Sequence, residues 1–311
     1  MNHKSKFQTL LEQKSLIILD GGLATELEAN GHDLNSSLWS AGLLLNHPQA
    51  IIDAHLAYLY AGAKIITTAT YQASIDGFAD IGLSTEQAKK LMLEAVILAE
   101  KAVAEYRRNR SPTSSPLIAA SIGPYGAYLA DGSEYNGHYQ VEDFTLVEFH
   151  EARLMLLDNS GADILGCETI PSSQEAQVLS RLLNNVHTPA WVSFSCCDGR
   201  HLNDGTDIEQ AAELFADHPK VNAIGINCTA PIYISKLVKR IKSVITDKSI
   251  IIYPNSGELY DAGSKSWVST SESGIFSKLA HSWYRQGVQI IGGCCRIGPE
   301  HIKAIEAALI P

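Results

Sequence analysis

A single α/β domain spanning residues 1–311, closed as a (β/α)8 TIM-type barrel, is the fold that the sequence predicts. Three observations carry that expectation. Short apolar runs rich in Ile, Val and Ala alternate with longer amphipathic runs from one end of the chain to the other. The apolar runs show little polar alternation, which suits parallel strands covered on both faces. No compositional break marks a second domain, and 311 residues is an ordinary length for one such barrel. A doubly wound open sheet is the alternative arrangement of the same units.

Each unit can be placed in order. Strands are expected over Ser15–Asp20, Ala63–Tyr71, Leu117–Gly123, Ala162–Thr169, Ala190–Cys196, Val221–Cys228, Ile250–Asn255 and Val288–Cys294. The helices that follow them are Pro48–Ala61, Ser84–Arg107, Val141–Ser160, Ser172–Leu183, Asp207–Ala216, Pro231–Ile245, Ser271–Gln286 and Pro299–Leu309. Pro48, Pro231 and Pro299 suit the first helical turn, and Ser84-Thr-Glu-Gln87 has the form of a capping box. Gly62, Gly161 and Gly287 fall just past helix ends, where a left-handed residue is needed. The stretch Asn109–Pro116 is expected as a loop on the bottom face. The longer connection Pro124–Gln140, on the active-site side, is long enough to cover a pocket.

Composition excludes several function classes. A formal charge of −10 argues against nucleic acid or an anionic membrane as partner. The N-terminus is polar with no apolar signal region, and no run of about 18 apolar residues is present. A cytoplasmic location is expected. Six cysteines in a reducing compartment are then buried, metal-bound or reactive rather than paired.

Chemistry is expected at the C-terminal ends of the strands. All six cysteines fall in that set, in Gly166-Cys-Glu168, Ser195-Cys-Cys-Asp198, Gly225-Ile-Asn-Cys228 and Gly292-Gly-Cys-Cys-Arg296. Neighbouring side chains on a strand point to opposite faces, so Cys294 and Cys295 can share a site only where the strand ends and turns. Cys228 would complete a three-sulfur site with one open position, the form of a catalytic zinc centre. Zinc deprotonates a coordinating thiol, so a substrate thiol in the open position would stand as thiolate at neutral pH. Spacing alone does not choose three ligands from six cysteines, and a set of small buried apolar residues is the competing reading. None of the 11 histidines forms His-x-His or His-Glu-x-x-His, and Cys-x-x-Cys does not occur.

Taken together, Asp20-Gly-Gly22, Gly166-Cys-Glu-Thr-Ile-Pro171, Gly225-Ile-Asn-Cys228 and Gly292-Gly-Cys-Cys-Arg296 resemble the homocysteine S-methyltransferase family, in the right order and across nearly the whole chain. Leu38-Trp-Ser40 and Thr70-Tyr-Gln-Ala-Ser74 are similar to its compact, S-methylmethionine-using branch. The resemblance implies a barrel with Zn2+ held by Cys228, Cys294 and Cys295, and homocysteine sulfur at the fourth position. The thiolate would take a methyl group from S-methylmethionine, or less readily S-adenosylmethionine, to give methionine. Betaine as donor ranks low. The chain ends soon after the eighth helix, without the extension that betaine-using relatives employ in assembly, so a monomer is expected. No glycine-rich Rossmann fingerprint follows the first strand.

Substrate roles follow on physical grounds. Glu168 and Asp20 are acceptors for the homocysteine ammonium, and backbone N–H groups around Gly21–Thr25, Gly22 included, are candidates for its carboxylate. Trp39 is a candidate wall for the sulfonium, a soft cation that an indole face attracts. Gln72, Tyr71 and Asn255 sit at strand ends within reach of either substrate. Arg296 is a candidate anchor for a carboxylate or for the thiolate cluster. Cys167, Cys196 and Cys197 match no zinc position and read as buried or pocket-lining. Two other functions stay open: methyl transfer to selenohomocysteine, selenocysteine or another thiol, and a zinc- or redox-sensing barrel in which the vicinal pair oxidises.

Overall fold

The computed structural model describes residues 4–34, 39–257, 259–261, 266–268 and 273–310. Ten strands are present among them: β1 (Ile17–Ile18), β2 (Ile65–Thr67), β3 (Leu117–Ile122), β4 (Ile164–Ile170), β5 (Ala190–Phe194), β6 (Val221–Asn227), β7 (Ser249–Tyr253), β8 (Leu259–Asp261), β9 (Ser266–Val268) and β10 (Ile290–Ile291). Eight of them form one parallel sheet in the order β1-β10-β7-β6-β5-β4-β3-β2. A parallel bridge from Leu19 to Ile65 joins its two ends. Two backbone bonds seal that seam, Asp20 N to Ile65 O at 3.1 Å and Lys64 N to Ile18 O at 2.7 Å. The sheet is therefore a barrel, as expected, and not an open doubly wound sheet. Strands β8 and β9 make a separate antiparallel ribbon in the connection after β7.

Alternation along the strands divides the core in two. Ile17, Leu19, Ile65, Leu117, Ala119, Ile164, Trp191, Ala223, Ile251 and Ile290 point into the barrel. Their neighbours, such as Ile18, Ile66, Ile118, Leu165 and Val192, face the surrounding helices. Burial on both faces is why the strands read as unbroken apolar runs. The N-terminal helix Lys6–Gln13 inserts the fully buried Phe7 into the barrel, edge-on to Trp191 at 6.3 Å between ring centroids. That helix was not among the expected elements, although Ser5 and Gln8 form a capping box at its start.

The eight expected helices are all present, from Pro48–Tyr60 to Pro299–Leu309, with ends displaced by a few residues. Ser84 and Gln87 cap each other as expected. Gly62, Gly161 and Gly287 all take positive φ. β4 runs one residue past its expected end, to Ile170, but the other seven barrel strands stop short of theirs. In particular β10 stops at Ile291, so Gly292 to Cys294 already belong to the turn. There the Gly292 N–H donates to Ile252 O of β7 and the Gly293 N–H to Asp20 O on the other side. The chain is leaving the barrel between its two neighbours.

Gly225 in β6 carries the tightest constraint of the barrel wall. A Cβ at this position would lie 1.6 Å from the Ile251 carbonyl oxygen, a backbone atom that cannot rotate away. Gly225→Ala should push β6 off β7, at a cost of about 1–3 kcal/mol or more. The expected outcome is a lowered melting temperature together with weakened metal binding through Cys228. An unchanged melting curve would contradict this reading of the wall.

Candidate metal centre

Above the C-terminal rim, the turns after β6 and β10 bring three thiols together. Among the described residues, Cys228, Cys294 and Cys295 form one group whose sulfurs all lie within 4.8 Å of one another. Cys228 Sγ lies 3.6 Å from Cys295 Sγ, and Cys294 Sγ lies 3.9 Å from Cys295 Sγ. Thiolates at about 2.3 Å from a tetrahedral zinc stand roughly 3.8 Å apart. The spacing therefore fits one soft cation. It also answers the geometric problem of two adjacent cysteines: because β10 has ended, both side chains can turn to one side.

The backbone is shaped for this. Cys228 takes φ 47°, Thr169 φ 60° and Arg296 φ 66°, all left-handed and none a glycine. Each such residue costs on the order of 1–3 kcal/mol and persists only where surrounding contacts hold it. Cys228 is held by its N–H on Tyr253 O at 3.2 Å, Cys294 by its N–H on Pro254 O at 2.9 Å, and Cys295 by its carbonyl, which accepts from Ser256 N at 3.1 Å. Thr25 Oγ1 accepts the Arg296 N–H at 2.9 Å.

The two glycines after Asp20 turn out to be packing residues. A Cβ on Gly21 would sit 2.3 Å from Ile297 O, and one on Gly22 2.6 Å from Cys294 O. The Gly22 N–H is committed to Ile297 O at 3.0 Å. Asp20-Gly-Gly22 is the bed on which the Cys294–Ile297 turn lies.

The three thiols share protons. Hydrogen bonding with Cys294 and Cys295, together with burial, pushes the Cys228 thiol well up. Cys294 also ends well above the ordinary thiol range: Cys228 pulls it down, but contact with Cys295 and burial outweigh that. Cys295 is held well below, because Cys228 and Cys294 both donate to it. Cys295 thus ionises first, and a bound cation would replace the protons left on the other two.

Two buried carboxylates lie beside the sulfurs. Asp20 Oδ2 accepts the Thr67 N–H at 2.7 Å and the Thr67 hydroxyl at 3.0 Å. Burial nevertheless raises its pKa well above the usual range, with the Glu168 charge adding to the effect. Glu168 accepts from the Ser121 hydroxyl, and burial holds its carboxyl up at about 7. The Cys294 charge acts on Glu168 in the same direction.

Beneath them, Asn227 ties β6 to β4. Its Oδ1 accepts the Thr169 N–H at 2.7 Å and the Ser193 hydroxyl at 2.9 Å, and its Nδ2 donates to Thr169 Oγ1 at 2.7 Å. Tyr253 Oη accepts from Trp191 Nε1 at 3.0 Å and lies 2.5 Å from the Ser193 hydroxyl. These bonds fix the residues next to Cys228 and Glu168.

The Pro124–Gln140 connection is built, not loose. It contains a helical turn, Tyr125–Leu129, and a 3-10 turn, Ser133–Tyr135. Glu175 holds it by accepting from Tyr125 N at 2.6 Å and Tyr139 Oη at 2.9 Å. The buried Arg153 guanidinium donates to the carbonyls of Gly123 (3.1 Å), Thr70 (3.2 Å) and Tyr71 (3.0 Å). Tyr135 keeps part of its ring at the surface, while its enclosed hydroxyl feels the charge of all three thiols.

Other expected site residues are placed as follows. Gln72 donates to Ala127 O at 2.7 Å, so its amide pins the covering turn. Asn255 Oδ1 accepts the Gly257 N–H at 3.1 Å in the turn next to Cys295, where it shapes the loop. Trp39 begins a 3-10 turn, Trp39–Gly42, but its side chain, like Leu38, lies outside the described residues. Cys167 and Cys196 are buried away from the cluster as expected. Cys167 lies inside β4, not at its end, and faces the helices. Cys197 is exposed, with its S–H on Leu202 O at 3.3 Å, which corrects its placement as a buried or pocket-lining thiol. Sequence reasoning missed Ser121, Thr67, Asn227 and Tyr253, since isolated polar residues on apolar strands carry no spacing signal.

Comparison with known proteins points to one family. The family model described as homocysteine S-methyltransferase matches residues 17–309. The chain is 45% identical over 304 residues to homocysteine S-methyltransferase YbgG of Bacillus subtilis, covering 96% of each chain. It is 42% identical to a selenocysteine Se-methyltransferase of Brassica oleracea var. italica, covering 98% of this chain and 94% of that one. Its structure is similar to that of the homocysteine methyltransferase MmuM from Escherichia coli in metallated form, with a TM-score of 0.87, 38% identity, and 97% and 99% of the two chains covered.

Proposed function

The chain belongs to the homocysteine S-methyltransferase family and is a methyltransferase, and from that membership we propose that it makes methionine by zinc-dependent methyl transfer from S-methylmethionine, or less readily S-adenosylmethionine, to L-homocysteine. The observation that carries the metal is the sulfur triangle, with separations of 3.6 and 3.9 Å suited to a tetrahedral zinc. The metallated relative supports the same reading. Cys228, Cys294 and Cys295 would hold the ion. When bound, zinc supplies one thing: it lowers the pKa of a thiol presented beside it, so that a thiolate exists at neutral pH.

The rest is positioning by this chain. Glu168, buried and backed by Ser121, takes the homocysteine ammonium. Asp20 faces the same region; Thr67 bonds both its oxygens, twice at Oδ2 and once, at 3.3 Å, at Oδ1, which keeps room to accept. The homocysteine thiolate attacks a sulfonium methyl in line. A new S–C bond forms, the old C–S pair returns to the donor sulfur, and the thiol proton goes to solvent. With S-methylmethionine two methionines result. The leaving group is a neutral thioether, so no general acid is needed.

A second reading, methyl transfer to selenocysteine or selenohomocysteine, is favoured by the Brassica relative. Turnover by zinc-loaded protein on each acceptor, with S-methylmethionine, S-adenosylmethionine or betaine as donor, separates the readings. The expected order is homocysteine first among acceptors and S-methylmethionine first among donors. No methionine from homocysteine and S-methylmethionine would overturn the proposal.

A further inference from the structure

β4 loses its alternation near its C-terminal end. Cys167 stands opposite Val192 of β5, but Ile170 stands opposite Phe194, so Glu168 and Thr169 together face the single residue Ser193. This is a β-bulge, which re-aims a side chain and leaves one residue outside the ladder. Cys167 and Ile170 both pack toward the helices. The two residues between them both turn inward, Glu168 to the Ser121 hydroxyl and Thr169 to Asn227. The ladder resumes beyond them, with Ser195 N on Ile170 O at 3.1 Å.

Such a bulge has to be held. Thr169 is β-branched and takes φ 60°, a conformation such residues rarely adopt. Its N–H, displaced from the β5 ladder, donates to Asn227 Oδ1 at 2.7 Å, and its Oγ1 accepts from Asn227 Nδ2 at 2.7 Å. Asn227 stands on β6, so its side chain spans β5 to reach β4. The orientation of the amide is fixed, because a backbone N–H only donates and needs the oxygen. That oxygen also accepts from the Ser193 hydroxyl at 2.9 Å. Ser193 has given its one proton to Asn227, so the Tyr253 hydroxyl, 2.5 Å away, donates to Ser193. Tyr253 in turn accepts from Trp191 Nε1 at 3.0 Å. Trp191, Tyr253, Ser193, Asn227 and Thr169 are all buried. One row of directed bonds thus clamps the bulge from inside the barrel.

The clamp bears on β4 more than on the sulfurs. Cys228 follows Asn227 in the chain, but backbone bonds hold it: Asn227 pairs with Tyr253 in the β6–β7 ladder, and the Cys228 N–H lies on Tyr253 O at 3.2 Å. The Thr169 N–H has left its ladder and rests on the Asn227 side chain. We propose that Asn227 is a positioning residue for the acceptor amino acid: by holding the Glu168–Thr169 bulge, its side chain aims the Glu168 carboxylate at the homocysteine ammonium without helping to hold the metal. The inference rests on the reading of Glu168 as the partner of that ammonium.

The test compares zinc-loaded wild type with Asn227→Ala, Asn227→Ser, Asn227→Asp, Glu168→Ala and the double variant Asn227→Ser with Glu168→Ala. Serine is too short to span β5 but leaves a hydroxyl in the space, so it is the milder loss should the alanine variant not fold. Calorimetric binding of homocysteine is measured beside turnover, with zinc content and melting temperature for each protein. Asn227→Ala and Asn227→Ser should raise the homocysteine KM and dissociation constant by roughly 10-fold or more, with a smaller fall in kcat. Zinc content should not change, and the KM for the methyl donor should stay within about twofold. Asn227→Asp keeps an oxygen for the Thr169 N–H and should recover most of the loss. In Glu168→Ala there is no carboxylate to aim, so adding Asn227→Ser should raise the homocysteine KM by no more than about twofold. Unchanged homocysteine binding in Asn227→Ser overturns the inference. So does an Asn227→Asp protein no better than Asn227→Ser, a full multiplicative loss in the double variant, or zinc lost in step with homocysteine binding. Glu168→Ala with a wild-type homocysteine KM overturns the Glu168 reading and this inference with it. Glu168→Ala impaired, with Asn227→Ser unaltered, overturns this inference alone.

Discussion

Replacing Cys295 by alanine should abolish metal binding and methyl transfer together while leaving the barrel folded. Cys295 is the thiol that both neighbours hydrogen-bond, the first to ionise, and the one whose sulfur lies 3.6 and 3.9 Å from the other two. Without it two sulfurs remain, too few for an open zinc site. Free homocysteine thiol is only a few per cent thiolate near neutral pH, so the uncatalysed attack is slow. Turnover should fall by on the order of 10³-fold or more, beyond the 10- to 100-fold typical of losing a mere supporting residue. The core is elsewhere: Cys295 is only partly buried and lies outside both apolar clusters. The metal-free variant should therefore melt within a few degrees of metal-free wild type. Cys228→Ala and Cys294→Ala should behave alike. A metal-free Cys295→Ala protein with full activity would end the account.

Glu168→Ala should raise the homocysteine KM by roughly 10- to 100-fold, the worth of a hydrogen bond to a charged group, with a smaller change in kcat. Glu168→Gln, which keeps the shape without the charge, should fall between. The pH dependence carries a distinct signature. Burial holds the wild-type carboxyl at about 7, so below that pH it is a neutral acid with little attraction for an ammonium. Homocysteine binding should strengthen as pH rises toward 7, and Glu168→Gln should lack this limb. Stability without substrate should run the other way. The folded pKa is raised above the ordinary value of 4.5, so the folded state holds the proton more tightly and loses stability as pH rises from about 4.5 to about 7. Above that range Glu168→Gln should melt higher than wild type. An unchanged homocysteine KM in both variants would remove Glu168 from the site.

The fold was legible because each βα unit announces itself. Both faces of every barrel strand are covered, so Ile17–Leu19 or Ile250–Ile252 read as plain apolar runs, and Pro48, Pro231 and Pro299 mark helix starts. The ends were less legible. The Cys294-Cys295 pair lies beyond β10 because the two-residue strand is set by pairing with β1 and β7, which local composition does not encode. Sequence spacing left six cysteines as candidates for the metal triangle; the family resemblance pointed to Cys228, Cys294 and Cys295, and only the folded chain shows their separations. The supporting residues were not readable. Asn227 binds Thr169 across 58 positions of sequence, and Arg153 reaches Thr70 across 83. Gly21 and Gly22 add a constraint that only the fold shows: a Cβ on either would strike the carbonyl of Ile297 or of Cys294.

The central claim is that one zinc ion on three thiols activates the acceptor. Its most direct test is to strip the wild-type protein with a chelator, titrate Zn2+ back, and measure bound metal and methionine formation from homocysteine and S-methylmethionine at each step. Activity should be negligible without metal, rise in proportion to zinc, and level off at one ion per chain. Full methionine formation by the stripped protein, or activity that does not track the first equivalent of zinc, would contradict it.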